Sequence, residues 1–172
     1  TQYGVKPGDN CLIAVMTDNS DDRNFPPGKK QTTLDFTYHG GIYRDVWMIA
    51  TSKVHITDPI KENKTAGGGI FVQYGDINKK KAEIFIDTDV VNKSTSSQTI
   101  TVENRITDKQ GKVLKILQSK ATLKAGSSQQ VKQKTSVDNP TLWYTDAPYL
   151  YNVETRIITS NGKSIDGGIT RI

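Results

Sequence analysis

The sequence predicts an all-β protein dominated by an antiparallel sandwich, and three observations carry that reading. Nearly every apolar segment alternates with polar residues at period two and is bounded by turn residues, the pattern of half-buried strands. About seven such segments follow one another between Ile60 and Ile172, at intervals of about 10 to 15 residues, the size and rhythm of one immunoglobulin-like domain. No segment carries the 3.6-residue apolar period of an amphipathic helix. The chain has 172 residues, 34% of them apolar. That length suits one large or two small domains, and folding buries about 70% of the unfolded chain's surface.

Taken in order, Cys11–Met16 is a short apolar run, Val46–Ile49 a second, and Val54–Ile56 a third that ends at Asp58-Pro59. Ile70–Tyr74 follows the glycine-rich stretch Thr65–Gly69. Between Ala82 and Val91 the alternation is clear: Ile84, Ile86, Thr88 and Val90 share one face, with Glu83, Phe85, Asp87 and Asp89 on the other. In the next strand Ile100, Val102, Asn104 and Ile106 oppose Thr99, Thr101, Glu103 and Arg105. The turn Asp108–Gly111 leads into Val113–Leu123, and Ala125–Ser128 leads into Gln130–Val137. Tyr149–Thr159 and Ile165–Ile172 close the chain around the turn Ser160–Lys163. Residues 60–172 therefore hold enough strands for a complete sandwich. Residues 1–57 hold too few, because two layers need two sheets to cover each other. This first segment is expected to be part of a domain, either fastened to the sandwich or paired with another copy of itself.

Composition excludes several classes. No run approaches the roughly 20 apolar residues of a membrane span. The lone Cys11 rules out an internal disulfide framework, and with only His39 and His55 a transition-metal site is not expected. Cys11 reads as a small buried hydrophobe. The net charge is +5, with lysine runs at 29–30 and 79–81, but 18 acidic residues are interspersed and nucleic acid is not an expected partner. Asp18–Asp22 offers oxygens at alternate positions, yet lacks the glycine and the twelfth-position glutamate of a calcium loop. No methionine stands at position 1 and no signal-peptide pattern follows, so a piece of a longer protein is expected. A periplasmic or secreted location is expected ahead of a cytoplasmic one.

Catalytic chemistry is sparse. The four glutamates are Glu62, in a Lys/Asn-rich linker, and Glu83, Glu103 and Glu154, each within a strand. None sits beside a histidine or in a glycine-rich, aromatic-walled segment. No serine or cysteine has a local histidine to activate it.

Three motifs remain: Gly40-Gly-Ile-Tyr-Arg-Asp-Val-Trp47; Asn139-Pro-Thr-Leu-Trp143 with Pro148-Tyr-Leu-Tyr151; and Gly168-Ile-Thr-Arg171. Pro140 fixes its own φ and keeps Asn139 extended, so Leu142 and Trp143 are expected to drop into the end of the sandwich. Tyr149 or Tyr151 is expected to return its hydroxyl to the backbone there, as in a tyrosine corner. Arg44 and Asp45, adjacent in an extended segment, face opposite ways. Arg44 is expected to tether two sheets.

In this order and spacing the motifs resemble the non-catalytic β-domains of glycoside hydrolase family 2, the β-galactosidase and β-glucuronidase family. The first resembles the end of that family's jelly-roll, sugar-binding domain. The second resembles the late loop and strand of the immunoglobulin-like domain, and the third the strand leading to the catalytic barrel. Thr170 departs from the family's Gly-hydrophobic-Arg pattern by standing before Arg171. The resemblance implies a partial jelly-roll over 1–57, a sandwich over 60–172, and structural roles for Arg44, Trp47, Asn139, Pro140, Leu142, Trp143, Tyr149, Tyr151 and Arg171. It implies a substrate contact for Asp45 in the intact enzyme, with sodium or magnesium there and no cofactor in these residues. Its implied partners are a barrel on the same polypeptide, a β-glycoside (first a β-galactoside, then a β-glucuronide or β-mannoside) and a second copy of the chain. The rival reading is a stand-alone immunoglobulin-like module that binds carbohydrate or protein, which would show a cluster of exposed aromatics. Tyr144, alternating with Trp143, is the residue to watch.

Overall fold

The computed structural model describes residues 6, 8–25, 28–35 and 39–172. The chain divides into two units, Thr1–Ile49 and Ala50–Ile172.

In the first unit the described residues form an irregular chain with one 3-10 turn at Gln31–Thr33. The strands expected at Cys11–Met16 and Val46–Ile49 do not form. A strand needs a neighbour for its backbone N–H and C=O groups, and none exists among the described residues of this unit. Leu12 is accordingly 97% exposed, and Cys11 is exposed rather than buried. The Asp18–Asp22 oxygens serve local turns: Ser20 N donates to Asp18 Oδ1 at 2.8 Å and Asn24 N to Asp22 Oδ1 at 2.8 Å.

The second unit is the sandwich. Its strands are β1 (Val54–Ile56), β2 (Ile70–Ile77), β3 (Lys81–Asn92), β4 (Gln98–Thr107), β5 (Val113–Leu123), β6 (Ser128–Asp138), β7 (Asn152–Thr159) and β8 (Ser164–Arg171). A single four-residue helix, α1 (Pro59–Glu62), is capped by Asp58, whose side chain accepts from the Ile60 and Lys61 amides. One sheet is built on β3, with β6 along one side and β1 and β2 sharing the other; the second has the order β5-β4-β7-β8. Every pairing is antiparallel. The seven strands expected after Ile60 are thus all present as β2 to β8.

β1 lies outside the expected sandwich range, yet Val54 pairs with Asn92 and is buried in the core. The adjoining backbone is fastened to β8: Ile56 N donates to Asp166 Oδ2 at 2.7 Å, and the Ser52 hydroxyl to the Ile165 carbonyl. Gly69, at φ +63, lets the chain re-enter β2 close under Thr57 and Pro59, where a Cβ would meet Pro59 Cδ at 3.1 Å.

The core follows the alternation read from sequence. Ile84, Ile86, Val90, Ile100, Val102 and Ile106 are all buried. They divide into two apolar clusters, one around Val90, Val102 and Ile157 and one around Ile86, Ile106 and Val153. Buried polar residues on four strands, Thr88, Asn104, Gln133 and Thr155, also lie in this interior. Asn104 Nδ2 donates to Gln133 Oε1, Thr155 Oγ1 donates to Asn104 Oδ1, and Gln133 Nε2 donates to Ser119 Oγ at 2.9 Å and to the Val102 carbonyl.

Candidate functional site

The first motif lies in the first unit and the other two in the sandwich. In the first unit, Gly41 has φ +90 and Gly40 abuts the Asn19 side chain so closely that a Cβ would lie 2.6 Å from its Cγ. This turn admits glycine for both reasons. Beyond it Tyr43 is 81% and Trp47 80% exposed. Arg44 does not tether sheets: it is exposed, and its guanidinium lies 5.6 Å from the centre of the Tyr43 ring. The tether needs a second sheet that the described residues of this unit do not form. Asp45 is an exposed carboxylate. Among the described residues no three His, Cys, Asp or Glu side chains converge. Asp45 is thus part of no such cluster among the described residues, and by itself supplies one carboxylate to a sodium or magnesium ion.

The second motif builds one end of the sandwich. Asn139 is not extended as expected: at φ +48 it turns the chain out of β6 in the left-handed region, which asparagine tolerates better than most residues, and its amide donates to the Lys80 carbonyl at 2.8 Å. Pro140 and Leu142 are half-buried. Tyr151 forms the expected corner: its hydroxyl accepts from Thr141 N at 2.7 Å. Tyr149 reaches elsewhere, accepting from Lys109 N at 3.4 Å in the β4–β5 turn. The two rings meet with centres 5.0 Å apart. With Asp108, Leu114, Lys115, Asp138 and Asn139 they line a shallow cleft of about 310 Å³.

Trp143 does not enter the core; it is 53% exposed and Tyr144 is 52% exposed. Tyr149 and Tyr151, by contrast, are half-buried at this end of the sandwich. Reciprocal backbone hydrogen bonds between Tyr144 and Ala147 close a tight turn just after Trp143. The apolar area of Trp143 is visible in the sequence, whereas the surfaces available to cover it are not.

In the third motif, Thr170 pairs with Val153 and Arg171 with Asn152, and β8 runs on without a shift at the extra residue. The irregularity instead falls between Ile157 and Ile158. Gly168 faces Ile70 of the opposite sheet, where a Cβ would meet its Cδ1 at 3.5 Å.

The glutamates are bound up in the sandwich. The Glu103 side chain lies on the outer face of its sheet yet is only 5% exposed. Arg105 Nε donates to its Oε1 at 2.7 Å and Gln118 Nε2 to its Oε2 at 2.5 Å. Burial pushes its carboxyl up, but the bonds from Gln118 and Arg105 and the charge of Arg156 outweigh that and hold it below the usual range. Glu83 lies 3.3 Å from Lys81 and 3.5 Å from Lys134, Glu154 lies 3.9 Å from Arg156, and Glu62 lies 3.5 Å from Lys64.

Comparison with known proteins identifies this arrangement. The profile of the glycosyl hydrolases family 2 matches residues 68–172, from the start of β2 to the chain's last residue. The chain belongs to this family. A β-glucuronidase of Formosa agariphila is 34% identical over 169 residues, covering 94% of this chain and 17% of that protein. A β-galactosidase of Thermoanaerobacter pseudethanolicus is 31% identical over 162 residues, covering 94% of the chain and 19% of that protein. Among solved structures, Bacteroides uniformis β-glucuronidase 2 superposes with a TM-score of 0.78 at 28% identity, over 90% of the chain and 18% of that protein. The family-2 chain described here thus spans less than a fifth of the length of these relatives.

Proposed function

We propose that these residues are a non-catalytic accessory region of a family-2 glycoside hydrolase, in which the sandwich spaces and packs a sugar-binding domain against a catalytic barrel. The fate of the carboxylates carries this reading. A retaining glycosidase needs two carboxyl groups about 5–5.5 Å apart, one of them protonated near neutrality. Here all four glutamates face lysine or arginine, and Glu103 is held ionised. The intact protein is proposed to cleave a β-glycoside with retention: a β-galactoside first, a β-glucuronide or β-mannoside as alternatives. Asp45, free and exposed, is the residue proposed to reach its pocket.

The test compares this chain with its full-length polypeptide on nitrophenyl β-galactoside and β-glucuronide. No turnover by the chain and turnover by the full-length protein is the expected result; hydrolysis by the chain alone overturns the reading. In the full-length protein, Asp45→Ala is expected to raise KM more than it lowers kcat.

A second reading draws on the exposed neighbours Trp143 and Tyr144, which suit a stand-alone sugar-stacking module. Soluble polysaccharide that retards the chain, and fails to retard a W143A/Y144A variant, would favour it over the accessory role.

A further inference from the structure

The net charge of this chain is not spread over it. Residues 109–138, which hold β5 and β6 and begin just after Asp108 of the β4–β5 turn, carry seven lysines against one acidic residue, Asp138. That is a local charge of +6 in a chain whose total is +5. From Lys109 to Val137 there is neither Asp nor Glu. Three of these lysines face carboxylates: Lys115 with Asp138 at 3.7 Å, Lys132 with Asp87 at 4.0 Å and Lys134 with Glu83 at 3.5 Å. Lys109, Lys112, Lys120 and Lys124 are exposed and have no carboxylate within ion-pair distance among the described residues. Lys120 lies on β5, Lys109 and Lys112 precede it and Lys124 follows it; β5 is an outer strand paired only with β4, and its eleven residues span roughly 37 Å at the antiparallel rise.

We propose that the β5 edge is a docking surface for an anionic polysaccharide, with Lys109, Lys112, Lys120 and Lys124 contacting its sulfate or carboxylate groups. Guarding an open edge against strand addition explains lysine within a strand. It does not explain Lys109, Lys112 and Lys124 in the turns at both ends, nor 29 residues without an acid. Nucleic acid fits less well, because residues 109–138 contain no aromatic residue on which a base could stack and no arginine for phosphate forks. A sugar polymer needs neither. It presents spaced anions and hydroxyls, which suit point-charge ammonium groups.

Affinity electrophoresis of the intact protein tests this, in gels carrying dextran sulfate, polygalacturonate or neutral dextran at about 150 mM salt. Retardation by one or both charged polymers and none by dextran is expected, and the two charged gels separate sulfate from carboxylate recognition. The K109Q/K112Q/K120Q/K124Q variant is expected to bind about tenfold or more weakly, with a flatter salt dependence. The four-fold Lys→Arg variant is expected to bind as the parent does. No retardation, retardation unchanged in the Gln variant, or equally tight salt-resistant binding of double-stranded DNA overturns the proposal. Glycoside turnover in the same preparations reports separately on the accessory role.

Discussion

Asn104 on β4 donates to Gln133 on β6 at 2.7 Å, one buried amide bonding another across the two sheets. Each is further committed, Asn104 to Thr155 and Gln133 to Ser119. The pair lies buried in the sandwich interior. A one-residue slip of β4 would turn Asn104 to the outer face and leave its buried partners Gln133 and Thr155 without it. Asn104→Leu is expected to destabilise the sandwich by about 1–3 kcal/mol, the cost of leaving Gln133 and Thr155 unsatisfied. The N104L/Q133L double variant is expected to lose less than the sum of the two single variants. Urea denaturation of the four proteins checks both statements.

Glu103 makes part of the stability pH-dependent. Its carboxyl is held below the range of an unfolded glutamate, so the unfolded chain takes up a proton first as pH falls. The stabilisation is therefore complete above about pH 5 and is lost as pH falls through the unfolded value, about 4.3, toward the folded one. Melting temperatures measured from pH 6 to 3 are expected to fall less steeply in Glu103→Gln than in the parent. Identical slopes would remove Glu103 from the acid response.

The two tyrosines of the second motif are expected to behave differently. Tyr151→Phe removes the acceptor for Thr141 N and is expected to cost about 0.5–1.5 kcal/mol and to speed hydrogen exchange at that amide. Tyr149→Phe gives up only a 3.4 Å contact, and its effect is expected to be smaller.

Trp143→Ala is expected to cost under about 2 kcal/mol, because the ring is 53% exposed. Ile86→Ala, at a fully buried position, is expected to cost about 2–5 kcal/mol. Equal shifts in thermal midpoint for the two variants would place the indole in the core after all.

How much of this was legible beforehand differs by element. The inward faces of β3 and β4 were readable because alternation at period two is a local property of the chain, and one buried face fixes it. The turn at Asp108–Gly111 was readable because glycine takes the positive φ that the turn needs; Gly111 has φ +84. The Tyr151 corner followed from proline and aromatic spacing. Asn104 was assigned to the inner face, but its partner Gln133 comes from a strand 29 residues away. Glu103 looked like an ordinary solvent-facing glutamate, since the side chains that cover it come from β5 and β7 as well as from β4.

By itself, then, the sequence determined the strand series, the inward faces, the motifs and the lysine-rich segment at 109–138. The tertiary structure decided which neighbours each side chain met. It left Trp143 half exposed, joined β1 to β3, and left Cys11–Met16 and Val46–Ile49 out of any strand. Alternation and turn chemistry act over a few residues and are written locally. Burial and pairing depend on surfaces from distant segments, and an apolar run without a partner sheet has nothing to cover it.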